Sequence, residues 1–334
     1  MEIRSNKIII TGVAGLLGAN LSRYLIDKGF TVIGIDDLSG GYEESLPQSP
    51  NFFFYKESLG FESSSRAFSN HKDASCVFHF AAYAAEGLSP FIRRYNYQNN
   101  ILASADVINQ CVNNDMKLIF ASSMAVYGGG NPPFTESLRP DPIDPYGIAK
   151  YAVEMDIKQA SLQFDLRYNI VRPHNVLGIY QNLWDRYRNV IGIFIRRSLD
   201  GLPLLVYGDG EQVRAFSDIK FYMSPFFQLI DGHDGETYNI GADKYYTIKE
   251  VALKTQAIAK EFGFDVQIEN REKRHEVKYA YCDHEKAKID LGFKDETDLD
   301  SLIREMFSWG KSLKTKEIKN MNYEIEKGLY SYWR

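Results

Sequence analysis

Residues 7–18 read Lys7-Ile-Ile-Ile-Thr11-Gly12-Val-Ala-Gly15-Leu-Leu-Gly18. The first five form a short apolar run rich in β-branched Ile, the pattern of a buried strand. From Leu16 to Lys28 the apolar positions Leu17, Leu21, Tyr24 and Leu25 recur at helical spacing, and Gly29 ends the helix. Three glycines therefore sit in one strand-to-helix turn. Gly12 permits the tight turn, Gly15 lets backbone approach a diphosphate, and Gly18 lets the helix pack on the strand. Free N–H groups and partial positive charge at the helix start, where Leu16 and Leu17 stand, suit an anion. The next strand, Thr31–Ile35, runs into Asp36. A carboxylate there accepts hydrogen bonds from ribose hydroxyls and repels a 2′-phosphate, and residues 37–55 contain no Lys or Arg to receive one. The expected cofactor is NAD rather than NADP, with Asp37 the neighbouring candidate for the ribose.

Outward from this turn the alternation continues. Phe52–Tyr55, Ser75–Phe80, Leu118–Ser122 and Asn169–Arg172 read as strands, and helices are expected at about 90–114 and 145–164. Strands alternating with helices give an α/β fold, a Rossmann-type doubly wound parallel sheet. After residue 175 the alternation becomes irregular and turn signals appear at Gly201-Leu-Pro203 and Gly208-Asp-Gly210. The expected organisation is a dinucleotide-binding domain over 1–175, a return segment near 215–240, and a smaller C-terminal α/β substrate domain over 176–334. The Lys- and Glu-rich tail at 311–334 reads as a solvated helical edge.

Composition narrows the function class. The chain has 334 residues, 44% hydrophobic and 25% charged, with a net charge of -5. These are globular values without the basic footprint of a nucleic-acid or anionic-membrane binder. No apolar run approaches a membrane span, and no secretory leader pattern opens the chain. Three distant cysteines, Cys76, Cys111 and Cys282, do not make a disulfide framework, so a reducing cytoplasm is expected. None of the six histidines stands at metal-ligand spacing, and no metal is expected. His79, in an apolar strand, reads as a core residue; His174 adjoins Asn175 and is expected to border the substrate.

Tyr146 and Lys150 lie one turn apart on a helix that follows Pro140, Pro142 and Pro145. An ammonium beside a phenol is expected to lower its pKa toward working pH. The same spacing recurs at Tyr24/Lys28, Tyr245/Lys249 and Tyr323/Lys327, but Tyr146 is set apart by Ser122-Ser123 at the end of the preceding strand. Carboxyl ends of parallel strands are where open α/β sheets bind ligands.

With TGVAGLLG at 11–18, HFAA at 79–82, ASSMAVYG at 121–128, YGIAK at 146–150, RPHNVLG at 172–178 and RHEVKYAYCD at 274–283, the chain resembles the extended short-chain dehydrogenase/reductase family. Within it, the resemblance is to nucleotide-sugar epimerases of the UDP-glucose/UDP-N-acetylglucosamine 4-epimerase type. It implies Tyr146 as acid/base, Lys150 as its partner and a ribose ligand, and Ser123 as donor at the reacting oxygen. It implies Asn99, Ala81, Ala82, Ser122 and Pro173 around the cofactor, and Glu57 or Ser58 in place of the family's usual adenine-holding Asp. Asn175, Asn189, Arg214 and Arg274 match diphosphate contacts, and Glu276 the acid that meets the nucleotide ribose. The expected ligands are NAD and a UDP-sugar or other nucleotide sugar, and the expected assembly is a homodimer through the helices at about 90–114 and 145–164.

Family members that eliminate water carry Asp-Glu after the Ser/Thr, and decarboxylases resemble them; here Met124 and Ala125 cannot transfer a proton. Epimerisation at carbon 4 needs only the Ser–Tyr–Lys set and NAD. Ala280 aligns with a position whose small residue leaves room at the sugar's carbon 2, unless a one-residue slip puts Tyr279 or Tyr281 there. Arg93 and Arg94 read as a solvated helix start; placed near the sugar instead, they would favour a uronate. A net sugar-nucleotide reductase or dehydrogenase, and a cofactor-binding protein without turnover, remain the alternatives.

Overall fold

Ile8, Ile9 and Ile10 are fully buried because their strand lies at the centre of a sheet with neighbours on both sides. The computed structural model describes residues 5–60, 65–274, 276–314, 316 and 321–333. Strands β1 (Lys7–Thr11), β2 (Thr31–Asp36), β3 (Phe52–Lys56), β4 (Cys76–His79), β5 (Lys117–Ala121) and β6 (Tyr168–Pro173) join Thr237–Ile240 in a seven-stranded sheet. Its order is Thr237–Ile240, β6, β5, β4, β1, β2, β3, and every pairing is parallel. The strand order reverses between β1 and β4, which opens the crevice at the carboxyl ends where dinucleotides bind.

Side-chain alternation along β1 sorts the two faces. Ile8 and Ile10 pack with Leu21 and Leu25 of α1 (Leu16–Asp27) and with Phe226 and Tyr238. Ile9 packs on the other face with Val107, Ile108, Val153 and Ile157. These last four come from α4 (Ala103–Asn113) and α5 (Pro145–Phe164), the third and fourth of the helices after α1 once α2 (Arg66–Asn70) and α3 (Arg93–Tyr97) are counted. A third core gathers Leu177, Phe194, Ile195, Phe216, Val251, Ile303 and Phe307 around α6 (Val190–Leu199) and the helices Ile248–Glu261 and Leu299–Ser312.

Two expectations need correction. The single helix at about 90–114 is instead a 3₁₀ turn (Glu86–Phe91), α3, a π-helical turn (Gln98–Leu102) and α4. Pro90 lacks an N–H and keeps the first part out of the α-helix. π-helical turns cluster at functional sites, and this one carries Asn99. The tail is solvent-exposed at 324–328, as expected, but its end is not: Leu329 and Trp333 are buried, and Tyr330 and Trp333 pack on Phe91. Its run Leu-Tyr-Ser-Tyr-Trp at 329–333 was the overlooked apolar signal. No helix among the described residues is long and apolar enough to cross a membrane. Cys76, Cys111 and Cys282 are free and buried.

Candidate active site

A cavity of about 1330 Å³ runs from the glycine turn to the C-terminal tail. At its first end Gly12 has φ +70, and a Cβ there would stand 2.7 Å from the Ala81 nitrogen. A Cβ on Gly18 would strike the Gly12 carbonyl, so this glycine is needed for helix–strand contact. Gly15 is the N-cap of α1 and makes no side-chain cap, which leaves the first-turn N–H groups facing the cavity with Leu16 and Leu17. Asp36 accepts from the Ala14 N–H at 3.0 Å and the Leu38 N–H at 2.8 Å, which closes the turn. Its second lone pairs remain for ribose hydroxyls. Burial raises its pKa, offset in part by those two N–H groups. A glycine cradle, an open helix start and this carboxylate fit NAD.

The neighbouring candidates serve the loops. Asp37 accepts from the Ser39 N–H at 2.8 Å and from the Ser58 hydroxyl at 3.1 Å. Glu57 lines the cavity, but its carboxylate holds Ser65 and Arg66 at the start of α2. Ala81, Ala82, Asn99 and Pro173 all line the cavity. Asn99 donates to the Tyr95 carbonyl at 2.9 Å, while buried Asn100 holds both the N–H and the carbonyl of Tyr83.

Ser122 and Ser123 follow β5. The Ser122 hydroxyl turns away to buried Glu154, so this residue faces the cofactor side with backbone. Ser123 caps the short turn Met124–Tyr127 by accepting the Ala125 N–H at 3.2 Å, and its hydroxyl acts on the Tyr146 phenol to oppose the effect of burial. Asp144 caps α5 by accepting the N–H groups of Tyr146 and Gly147, both at 2.9 Å, with Pro145 at the first helical position. Lys150 donates to the Ala121 carbonyl at 2.7 Å, and its ammonium stands 5.9 Å from the Tyr146 ring centre.

The expected lowering of the phenol is not what this protein alone produces. Burial pushes the Tyr146 pKa up, with the Ser123 bond opposing, while burial pulls Lys150 down to about 7. Desolvation outweighs the neighbouring cation because Lys150 is aimed at a carbonyl rather than at the phenol oxygen.

At the far end, Asn175 has φ +42 and donates to the Ala215 carbonyl at 2.9 Å. Asn189 caps α6 by accepting the Ile191 N–H at 3.0 Å, so it offers a helix start as well as an amide. Arg214 pairs with Glu276 at 3.1 Å, and Glu276 also accepts from Gln212. Arg274 lies 3.4 Å from the Tyr207 ring centre and donates to the Tyr332 hydroxyl at 2.5 Å. All five line the cavity.

Several expected residues lie elsewhere. Ala280 pairs with Arg214 across the strand Tyr279–Ala280 and is buried outside the cavity, and neither Tyr279 nor Tyr281 lines it. Residues paired in register share a sheet face, so the buried Ala280 methyl stands on the Arg214 side without lining the cavity itself. Arg93 and Arg94 are exposed at the start of α3 and outside the cavity, the solvated helix start read for them, and so do not favour a uronate. His174 is buried against His284, ring centres 4.9 Å apart, and does not border the cavity. His79 bonds Thr11 at 2.7 Å and Ser104 at 2.9 Å, and burial pulls it down to about 3. His275 lies outside the described residues.

Three contributors escaped the sequence reading. Arg188 reaches Gly40, sits 4.9 Å over the Tyr83 ring, and pairs with Asp185 at 2.8 Å. Its charge acts on both Asp36 and Tyr146. Glu86 lines the cavity, and Tyr332 and Trp333 wall it from the tail. Only the aromatic tail run carried a signal; the other two are placed by long-range packing.

The model of the NAD dependent epimerase/dehydratase family matches residues 8–241, and the chain belongs to that family. Its cofactor is NAD. The fold matches a UDP-glucose 4-epimerase of Thermotoga maritima, solved with UDP-glucose, at a TM-score of 0.85 and 30% identity over 91% of this chain and 98% of that one. It matches a UDP-N-acetylglucosamine 4-epimerase of Methanobrevibacter ruminantium, in complex with UDP-N-acetylmuramic acid, at 0.83 and 30% identity over 92% and 98%. A UDP-glucuronate 4-epimerase of Thermodesulfobacterium geofontis is 26% identical over 91% of this chain and 95% of its own length.

Proposed function

We propose that this NAD-dependent nucleotide-sugar 4-epimerase inverts carbon 4 of a UDP-hexose of the glucose/galactose or N-acetylglucosamine/N-acetylgalactosamine type. The observation that carries the reading is the convergence of Ser123, Tyr146 and Lys150 on one cavity whose far wall holds Arg214 and Arg274. NAD, when bound in the cradle of Gly12, Gly15, Gly18 and Asp36, would supply a reversible hydride acceptor for carbon 4. Tyr146 takes the proton of the 4-hydroxyl and gives it back, and Ser123 donates to the same oxygen. Lys150, anchored on the Ala121 carbonyl, places its cation behind the phenol and holds the ribose. Gly12, Gly15, Gly18 and Asp36 seat the dinucleotide. Arg214 and Arg274, with Asn175 and the start of α6, grip the diphosphate while the sugar turns, since guanidinium matches phosphate in both charge and shape. Met124 and Ala125, beside Ser123, supply no further acid or base for elimination.

The dinucleotide-binding unit comprises the seven-stranded sheet, with the third core as the sugar-binding unit. Met155, Leu162 and Phe164 on α5, and Leu102 before α4, are exposed apolar groups suited to a second copy of this chain. Buried free cysteines suit the cytoplasm.

Tyr146→Phe is the test. The variant keeps its NAD, and conversion of UDP-glucose or UDP-N-acetylglucosamine, followed by chromatography of the sugar products, falls by about 10²–10⁴-fold. Full activity in the Phe variant overturns the assignment.

A further inference from the structure

Glu86 opens the 3₁₀ turn Glu86–Phe91, and that turn is tied to the catalytic helix. The Ser89 hydroxyl donates to the Glu86 carbonyl at 2.8 Å, stands 3.3 Å from the Asp144 carboxylate, and accepts the Tyr146 N–H at 3.2 Å. The backbone of Glu86 is thereby held in fixed relation to the phenol. Its carboxyl is open to the interior of the cavity and makes no hydrogen bond or ion pair with another described side chain. Two groups of charge face it. Asp144 and Tyr146 lie at the start of α5, and Arg214 and Glu276 line the same cavity. If Tyr146 meets carbon 4 and Arg214 meets the diphosphate, the hexose spans the interval in which Glu86 stands.

We infer that Glu86 selects the sugar: its carboxyl accepts hydrogen bonds from the hydroxyl or amide donors of a neutral hexose and turns away a hexose that carries its own carboxylate. The inference rests on the 4-epimerase reading and names the substrate class within it. An acid left without a protein partner is satisfied by a ligand donor, while two carboxylates brought together in a cavity repel. Like-charge rejection is an efficient way to discriminate ligands of equal size. Burial, and secondarily Asp144, raise the Glu86 pKa, with Arg214 opposing. The rejection therefore strengthens as pH rises and the acid ionises.

The experiment uses NAD-loaded protein and its isosteric variant Glu86→Gln. Binding of UDP-glucose, UDP-glucuronate and UDP is measured by calorimetry in the Tyr146→Phe background, and turnover of both sugars is measured with Tyr146 intact. The unsubstituted Glu86 protein prefers UDP-glucose over UDP-glucuronate by about tenfold or more, and the Gln variant narrows that ratio by about tenfold. The ratio widens between about pH 5.5 and 8.5 with Glu86 and stays flat with Gln. UDP binds both alike, which shows an intact pocket. An unchanged sugar ratio in Glu86→Gln, or a preference for the uronate before substitution, overturns the inference while inversion itself persists. Absence of inversion with every sugar strikes the underlying reading instead, and the binding ratio still decides the role of Glu86.

Discussion

Glu154 and Glu86 both act on the Tyr146–Lys150 pair, Glu154 on the ammonium and Glu86 on the phenol. Their surroundings differ completely. Glu154 is fully buried and receives two hydrogen bonds from Arg172, at 2.9 and 2.6 Å, and a third from Ser122. Arg172 in turn donates to Tyr127 at 2.7 Å, and Tyr127 to Asn239 at 2.8 Å. This chain of bonds links α5, the end of β5, β6 and the strand Thr237–Ile240. It fixes the backbone that carries the Ala121 carbonyl and Ser123. Glu86 has no such partner, and the space before it belongs to the ligand. The same side chain is thus scaffold at one position and reader at the other. Pairing and depth together distinguish the two, Glu154 being sealed in the fold and Glu86 open to the cavity.

The largest break in this comparison is Glu154→Ala. Removing one member of a buried ion pair leaves Arg172 uncompensated and costs about 3–5 kcal/mol. Denaturant unfolding of the NAD-loaded protein checks this against Glu86→Ala, which stays within about 1 kcal/mol of the parent because no protein bond is lost. Equal losses at the two positions erase the distinction between scaffold and reader.

A smaller effect is expected on the opposite wall, where Arg274 is framed by Tyr207 and by Tyr332 of the tail. Tyr332→Ala removes one cation–π contact and the hydrogen bond to the guanidinium Nε, together about 1–2 kcal/mol of positioning. KM for the UDP-sugar rises by about 5- to 20-fold and kcat stays level, because the diphosphate grip is remote from carbon 4. Steady-state kinetics checks the split; a fall in kcat alone places Tyr332 with the reacting atoms instead.

The halves of the site differed in how far the sequence revealed them. The glycine turn, Asp36 and the Ser–Tyr–Lys set were legible because each is defined by local constraints: a strand, a turn, a helix start, a one-turn spacing. Glu86, Arg188 and Tyr332 were not, because they meet only when a 3₁₀ turn, the segment before α6 and the tail close on one cavity. Ala280 is a related case: pairing register puts it on the face of Arg214, yet it is buried and does not line the cavity, which spacing alone does not show. Arg93 and Arg94 were legible as a solvated helix start, since adjacent cations at the opening of a helix keep to water.

The finest distinction between the two acids lies in the pH dependence of stability. The Glu86 pKa is raised in the folded protein by burial first and Asp144 second. A raised acid holds its proton more firmly folded than unfolded, so stability is greatest below the unfolded value, about 4.3, and declines as pH climbs through the folded one. Glu86→Gln removes that decline. Relative to the parent, the Gln variant gains nothing at about pH 4 and gains up to about 1 kcal/mol at about pH 8. The gain is small because the carboxyl is bathed in cavity water, which screens it from Asp144. Unfolding midpoints of ligand-free protein across that range check the sign: a Gln variant that loses stability at high pH means that Glu86 is ionised and paired within the fold, as Glu154 is, and its freedom to meet a sugar is gone.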